Sequence, residues 1–287
     1  MTTVAIAGAT GKTGARLAIR LGARFAVRAL GSGTNLLSLA DTEVALAGAQ
    51  VGVYLARATR TTFRLIQAKP ADLELLMADS FARAAARCGL RRLIVWRCGD
   101  DDERLVVLRA AGVPLTVVES EAALEEALQD EPAHATPSCA LLAPEATVAP
   151  GVCSVQRLPL PPDWTAVQAT RAYFDWAAAH VPFVHASCTG DAWTLHAFGF
   201  PVLSLWLIKG RAAKQSAVLA TGGGWLAGSV AGTGHFEFRI VQTQSGPALF
   251  TILMGFVSAL PFLLYRLTQA PVHAWVMARF GRWLAAR

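Results

Sequence analysis

A glycine-rich turn close to the N-terminus restricts this chain to a small number of folds. Before the turn, residues 3–7 form a short β-branched and apolar run typical of a buried strand, and after it residues 12–21 carry apolar side chains at helical spacing. A strand that enters a helix through such a turn presents backbone N–H groups to a phosphate. The turn consists of Gly8, Ala9, Thr10, Gly11, Lys12, Thr13 and Gly14.

The first half of the chain continues as alternating strand-like and helical patterns. This alternation predicts an α/β fold with a doubly wound parallel sheet. Together with the glycine turn, it predicts a Rossmann-like, NAD(P)-binding domain over residues 1–135. The embedded Gly-Lys-Thr does not make a P-loop, because Ile6 stands where that motif needs its first glycine. Strand-like runs occupy residues 24–30, 51–56, 92–96 and 115–118, and helical patterns occupy 71–88 and 102–111.

The sheet of this domain is expected to be shortened. Only residues 31–40 separate the second strand from Asp41, whereas a parallel crossover needs about a dozen residues or more. If residues 36–40 form the third strand, the helix that precedes it is missing. That helix normally helps to enclose the adenosine, so nucleotide binding could be degenerate.

The second half changes to a period of two. Residues 236–240 alternate apolar and charged side chains, which is typical of a half-buried antiparallel strand. Asp163 could cap a helix over residues 164–180, and Pro271 begins a final helix. We therefore expect an α+β domain over residues 150–287, with an antiparallel sheet and a C-terminal helix. The apolar stripe of that helix is predicted to contain Val272, Trp275, Val276, Phe280, Trp283 and Leu284, opposite Arg279 and Arg282.

Composition and charge favour a cytoplasmic protein without a nucleic-acid partner. The net charge of +6 is spread over scattered arginines, with no basic run for a nucleic acid. The five cysteines form no metal-ligand spacing and are expected to be reduced thiols. A mean hydropathy of +0.41 raises the question of a membrane span over residues 248–264. Buried core strands are favoured there, because the stretch is short and contains Gly255, Ser258 and Pro261. We thus expect no membrane partner.

Several segments of the chain carry a resemblance to a known family. Residues 4–14, 46–54, 92–96 and 111–118 resemble NmrA-like, atypical short-chain dehydrogenase/reductases. Residues 234–239, 265–270 and 273–277 are similar to an uncharacterised bacterial domain fused behind such folds. The resemblance implies a helix-grip shape, like that of START or polyketide-cyclase domains, for the second domain. It also implies an apolar cavity under the last helix, which could hold a small apolar molecule.

The residues expected at the nucleotide site favour NADP, although NAD stays open. No acidic residue ends the second strand, where a fold that prefers NAD would bind the ribose hydroxyls, and Lys12 and Arg28 offer positive charge instead. Arg28 could equally be a solvated side chain on an edge strand. Asp41 corresponds to the residue that lies beside the adenine in the family, or it is the N-cap of a helix over 42–46. Ala56 and Arg57 follow a buried strand at the switch point, where Arg57 binds either a phosphate or a surface carboxylate.

The catalytic residues of the family are not recognisable here. Short-chain reductases use a tyrosine as the general acid, with a lysine four residues later that lowers its pKa. None of Tyr54, Tyr173 and Tyr265 has such a lysine. The acidic run at residues 100–103 could bind a metal, but acids at the start of a helix are usually caps, and we expect no metal site.

Three functional hypotheses follow from these observations. The first is an NADP-binding oxidoreductase of unknown substrate whose Tyr/Lys pair is non-standard or absent. The second is a non-catalytic nucleotide or redox sensor, or an assembly protein, that retains only the fold. The third is a membrane-associated protein that uses residues 248–264. The sequence predicts neither a substrate nor an oligomeric state, and whether the chain is an enzyme stays open.

Overall fold

The computed structural model describes residues 1–31, 33–57, 63–96, 99, 102–129, 151–227 and 234–287. These residues form two compact units, one around a five-stranded sheet and one around an eight-stranded sheet. The predicted boundary between residues 135 and 150 lies outside the described residues, so the division into 1–135 and 150–287 stays a prediction.

The first unit confirms the prediction of a shortened Rossmann-like sheet. All four strand pairings are parallel, in the order β2-β1-β3-β5-β6, and helices flank the sheet. Up to residue 129 the elements in chain order are β1 (Thr3–Ala7), α1 (Lys12–Leu21), β2 (Ala26–Leu30), α2 (Leu39–Leu46), β3 (Val51–Tyr54), β4 (Leu65–Gln67), α3 (Pro70–Arg87), β5 (Arg92–Trp96), α4 (Arg104–Ala110), β6 (Leu115–Val118) and α5 (Glu121–Gln129). Of these, β4 belongs to the sheet of the second unit. The strand order reverses between β1 and β3, which is the switch point of the sheet.

The suggestion that residues 36–40 form a third strand is wrong, because a helix cap lies inside that range. The Ser38 hydroxyl accepts a hydrogen bond from the backbone N–H of Asp41 at 3.1 Å and begins α2. Leu37 and Ala40 are both buried, but Leu37 lies just before the cap and Ala40 lies in the first turn of α2. Asp41 is therefore a first-turn residue of α2, and the prediction that it caps a helix over 42–46 is also wrong.

The second unit confirms an α+β arrangement with an antiparallel sheet and a C-terminal helix. Its strand order is β4-β7-β13-β12-β11-β10-β9-β8. The pairings β7–β13, β11–β12, β10–β11, β9–β10 and β8–β9 are antiparallel, whereas β4 joins the edge in parallel. From residue 151 the elements are β7 (Val152–Pro159), α6 (Ala166–His180), β8 (Val184–Thr189), β9 (Ala192–Ala197), β10 (Phe200–Leu207), a 3-10 turn (Lys209–Arg211), β11 (Ser216–Gly223), β12 (His235–Thr243), β13 (Gly246–Phe256), α7 (Phe262–Leu267) and α8 (Gln269–Ala285).

The apolar stretch at residues 248–264 contributes a core strand, because most of it lies in β13, which is buried from Ala248 to Phe256. Among the described residues, no helix has both the length and the apolar character needed to cross a bilayer.

The cap of α6 differs from the prediction. Thr165 and Gln168 form a capping box there, whereas Asp163 lies two residues earlier in a left-handed turn.

Aromatic side chains fill the space between the sheet and the helices of the second unit. The Tyr173 ring on α6 lies 5.5 Å from Phe236 and 5.6 Å from Phe238 on β12, and 5.2 Å from Phe280 on α8. Phe174 stacks on Trp193 at 5.1 Å. Such ring pairs add specific geometry to the burial of apolar area. The core under α8 is thus densely aromatic.

The predicted stripe of α8 is partly wrong. Val276, Phe280 and Leu284 are buried as expected, but Val272 is 58% exposed and Trp275 is 42% exposed. These two residues share a helix face with Arg279 and Arg282, because the spacings of three, four and three residues return to one side of a helix.

The charged side of β12 is also buried, which the alternation of residues 236–240 did not predict. Glu237 is 3% exposed and Arg239 is 1% exposed, and their side chains pair at 2.7 Å. Burial alone would raise the pKa of Glu237, but the Arg239 guanidinium beside it holds that pKa at about 2. A pair of opposite charges therefore occupies the face where the sequence suggested solvent.

Replacing Phe280 tests the aromatic core. We expect Phe280→Ala to lower the free energy of unfolding of the second unit by about 3–5 kcal/mol, because a fully buried ring leaves a cavity among three aromatic neighbours. Urea unfolding followed by tryptophan fluorescence measures this change. The control on the same helix is Val272→Ala, which we expect to change stability by less than about 0.5 kcal/mol. Equal effects of the two substitutions would contradict the described packing of α8.

A partly buried histidine with an enclosed Nε2 atom predicts an acid-sensitive second unit. Burial lowers the pKa of His273 from 6.5 to about 4, and its Nε2 has no hydrogen-bond partner among the described residues. The unfolded chain therefore binds a proton below pH 6.5 that the folded chain does not bind until about pH 4. We expect stability to fall through this window by up to about 3 kcal/mol. Melting temperatures across the window should lose this slope in His273→Phe and keep it in His180→Gln, which alters an exposed histidine.

Candidate functional site

The turn after β1 lies against the chain that follows β3. Gly8 has a φ of +89°, and a Cβ there would lie 2.8 Å from the backbone nitrogen of Ala56. The backbone N–H of Leu55 donates to the carbonyl of Ala7 at 2.9 Å. Two of the predicted site residues, Gly8 and Ala56, are thereby brought together at the switch point of the sheet.

The three glycines of the turn have different structural needs. A Cβ on Gly14 would lie 2.2 Å from the carbonyl oxygen of Gly8, so only glycine allows α1 to pack this closely on the turn. Gly11 is different, because it has extended backbone with φ −75° and ψ 159°, and its Cβ would lie 3.4 Å from the same oxygen. The fold therefore requires glycine at two of the three positions and tolerates a side chain at Gly11.

The N-terminus of α1 is available to an anion. Gly11 is its N-cap and offers no side-chain acceptor, and the first turn contains no acidic residue. The first N–H groups of a helix have no partner within the helix and carry partial positive charge. Thr10, Lys12 and Thr13 are exposed around this end, whereas Ala9 is buried beneath it.

The two arginines predicted at the site make protein contacts in this structure. The Nη1 of Arg28 donates to the carbonyl of Ala45 at 3.1 Å and also to that of Ala47, at the C-terminal end of α2. Arg57 pairs with Glu74 at 3.0 Å, with both side chains partly exposed. This is the surface ion pair that the sequence left as the alternative for Arg57. The phosphate roles of both arginines stay predictions.

Sequence reasoning missed a buried ion pair beneath the switch point. Arg104 is 4% exposed, its Nε contacts the Oδ1 of Asp102 at 2.7 Å, and its Nη1 donates to the carbonyl of Ala56 at 3.3 Å. A buried arginine thus holds the chain that faces Gly8. The signal in the sequence was the acidic run at residues 100–103, of which 100 and 101 lie outside the described residues. Asp102 contacts Arg104 and also accepts the N–H of that residue.

The tyrosines are placed where they do not act as surface acids. Tyr54 ends β3 and is 1% exposed, and burial raises its pKa well above the usual value. Burial likewise raises the pKa of Tyr173 and of Tyr265 to about 12, and both lie in the second unit. A buried neutral phenol that titrates this high is a poor proton donor near neutral pH. The described residues therefore supply no obvious substitute for the missing Tyr/Lys pair.

The second unit has an open cleft between α6 and α8. It has a volume of about 390 Å³ and is lined by Trp176, His180, Arg279, Arg282 and Trp283. These residues are polar and aromatic, so the cleft differs from the enclosed apolar cavity that the resemblance implies. The space under α8 is instead occupied by the aromatic cluster around Tyr173 and Phe280. An apolar ligand in this unit stays a prediction.

Comparisons with known proteins show only distant structural similarity. No family model matches the sequence, and no curated protein matches it. A Rossmann-fold NAD(P)-binding family protein from Shigella flexneri is 16% identical with a TM-score of 0.31, covering 41% of this chain and 66% of that one. A nucleoside-diphosphate-sugar epimerase from Staphylococcus aureus is 13% identical with a TM-score of 0.31, covering 41% and 49%. An uncharacterised protein from Bacillus thuringiensis is 9% identical with a TM-score of 0.33, covering 46% and 98%. The chain thus spans 66% and 49% of the first two proteins, and similarities this low support no functional argument.

Proposed function

We propose that the first unit binds a nicotinamide dinucleotide, with NADP favoured over NAD, at the glycine turn of residues 8–14. The observation that carries the proposal is the glycine at position 11. The fold does not need it, yet it stands at the exposed N-terminus of α1, where a pyrophosphate would approach the backbone. Lys12, an exposed residue of this turn, supplies positive charge at the protein surface.

The dinucleotide would lie across the switch point. Its pyrophosphate would contact the N–H groups at the start of α1, and its nicotinamide half would extend toward Ala56 and Arg57, where ligands bind in such sheets. Arg28 lies within β2, next to Ala5 of β1, and would reach a 2′-phosphate only by leaving the carbonyls at the end of α2. Asp41 would act beside the adenine, as the resemblance implies.

The reaction that accompanies binding is proposed as hydride transfer with a non-standard proton donor. NmrA-like reductases are the family that the motifs resemble, and the second unit would hold a small apolar molecule. Its strand–helix–antiparallel sheet–helix order supports a helix-grip shape. A cytoplasmic location is proposed from the cysteine pattern.

A non-catalytic sensor is the second candidate. The observation that favours it is the burial of all three tyrosines, with no lysine at the expected spacing from any of them. Such a protein would bind the dinucleotide and respond to its redox state without turnover.

Nucleotide titration tests the site. We expect calorimetry to give tighter binding of NADPH than of NADH, and Gly11→Val to weaken NADPH binding by about tenfold or more, because its side chain enters the phosphate path. The melting temperature should not change, since the Cβ at this position is tolerated. Gly210→Val, at an open position in the second unit, is the matched control. The site is refuted if neither nucleotide binds saturably at millimolar concentration.

Turnover assays separate the two candidates. With NADPH and simple aldehydes we expect slow or absent oxidation of the cofactor, because no exposed tyrosine with a neighbouring lysine can protonate the carbonyl oxygen. Loss of NADPH absorbance measures the rate, and a buffer without protein gives the background. Rapid turnover would reveal a proton donor that the described residues do not display, and it would eliminate the sensor.

A further inference from the structure

Helix α7 and the start of α8 expose an apolar surface that the core of the second unit does not use. We call it the α7–α8 face. Its side chains are 39% to 66% exposed, which is unusual for large apolar residues that follow one another so closely. The face consists of Phe262, Leu263, Leu264, Leu267, Val272 and Trp275.

The packing of α7 explains why these side chains remain outside. Tyr265 is the only buried residue of this helix, and its ring lies 6.1 Å from Phe256 at the end of β13. Leu263, Leu264 and Leu267 therefore point away from the anchoring residue. On α8, Val276 and Phe280 are buried, and Val272 and Trp275 lie at the exposed edge of the same apolar stripe.

The charged residues of α7 and α8 are all arginines. Arg266 lies within α7, and Arg279 and Arg282 continue the exposed side of α8 beyond Trp275. The Arg279 guanidinium lies 5.1 Å from the centre of the Trp275 ring. No aspartate or glutamate occurs after Glu237 in the sequence, and these three arginines form no ion pair within the described residues.

A second exposed aromatic group lies on a chain segment that pairs with the approach to α7. Phe200 and Trp225 stack at 4.7 Å and are 50% and 65% exposed. The chain after Trp225 is joined to the approach to α7, because the backbone N–H of Ala259 donates to the carbonyl of Leu226 at 3.1 Å.

We propose that the α7–α8 face docks the protein on the surface of an anionic phospholipid bilayer. Leucine, phenylalanine and tryptophan side chains would enter the boundary between headgroups and acyl chains, and the arginines would contact lipid phosphates. Tryptophan and arginine suit this depth, because each combines an apolar body with a polar end. The helices would lie in the interface, since Phe262–Leu267 is far too short to cross a membrane.

Charge favours a lipid surface over a protein partner. Apolar protein interfaces commonly have a mixed polar rim, whereas the charged residues that α7 and α8 contribute beside this face are all arginines. The proposal revises the expectation that no membrane is contacted. It differs from a span over residues 248–264, because β13 is core and only the residues that follow it are exposed.

Vesicle co-sedimentation of the full chain tests the proposal. The probes are vesicles of phosphatidylglycerol mixed with phosphatidylcholine, and vesicles of phosphatidylcholine alone. We expect binding to the anionic vesicles, and we expect it to weaken as salt rises because the arginines are screened. Tryptophan fluorescence should shift to shorter wavelength on binding as Trp275 leaves water.

Paired substitutions locate the binding surface. Leu263→Asp with Leu267→Asp changes two side chains that are 65% and 66% exposed, and we expect it to reduce the partition into anionic vesicles by about tenfold or more. Arg279→Gln with Arg282→Gln should weaken binding to anionic vesicles more than to neutral ones. Ile19→Asp, at an 81% exposed apolar residue of the first unit, is the matched control and should bind as the wild type does. Circular dichroism melting shows that each variant is folded.

Three results would overturn the proposal. The first is sedimentation with neither kind of vesicle, and the second is unchanged binding in the folded leucine variant. The third is a lipid-free dimer, detected by light scattering, that the leucine substitutions dissociate, since the face would then be an interface between two copies of this chain.

Discussion

The close approach of two backbone segments at the carboxyl ends of β1 and β3 organises the first unit. Gly8 lies against Ala56, and Gly14 lies against the carbonyl of Gly8, with no room for a Cβ at either glycine. The obstructing atoms are backbone atoms, which cannot move aside as a flexible side chain can. This contact sets the direction in which α1 leaves the sheet. Arg104 supports it from the other side through the carbonyl of Ala56.

That constraint determines what kind of binding the first unit can offer. The donors at the start of α1 are backbone N–H groups, so their presence does not depend on the side chains of the site. Proton transfer, by contrast, depends on individual side chains, and Tyr54 is buried at the end of β3. A site of this type can retain nucleotide affinity after its chemistry has changed or disappeared, which is why both an oxidoreductase and a sensor fit the same geometry.

Side-chain packing organises the second unit, whereas a close contact between backbone segments organises the first. Tyr173, Phe236 and Phe280 meet between the helices and the sheet, with their ring centres 5.5 Å and 5.2 Å apart. On the other side of β12, Glu237 and Arg239 are buried as a pair, which satisfies each charge that burial alone would penalise. The large apolar side chains of α7 and the start of α8 take no part in these contacts and remain on the surface.

The sequence by itself determined the elements whose signals are local. The bounds of β1 and α1 were predicted correctly, because a β-branched run, a glycine turn and helical spacing are all read within a few residues. The α/β and α+β classes followed from the change in period. Only the tertiary structure decided that Ser38 caps α2, since apolar residues 36–40 suit a strand and a helix equally well. The contact of Arg104 with the carbonyl of Ala56 also required the tertiary structure, because 48 residues separate the two in the sequence. The tertiary structure also decided that Val272 and Trp275 face outward, because a helical stripe as wide as that of α8 can turn either edge to the core, and the neighbouring side chains select the edge.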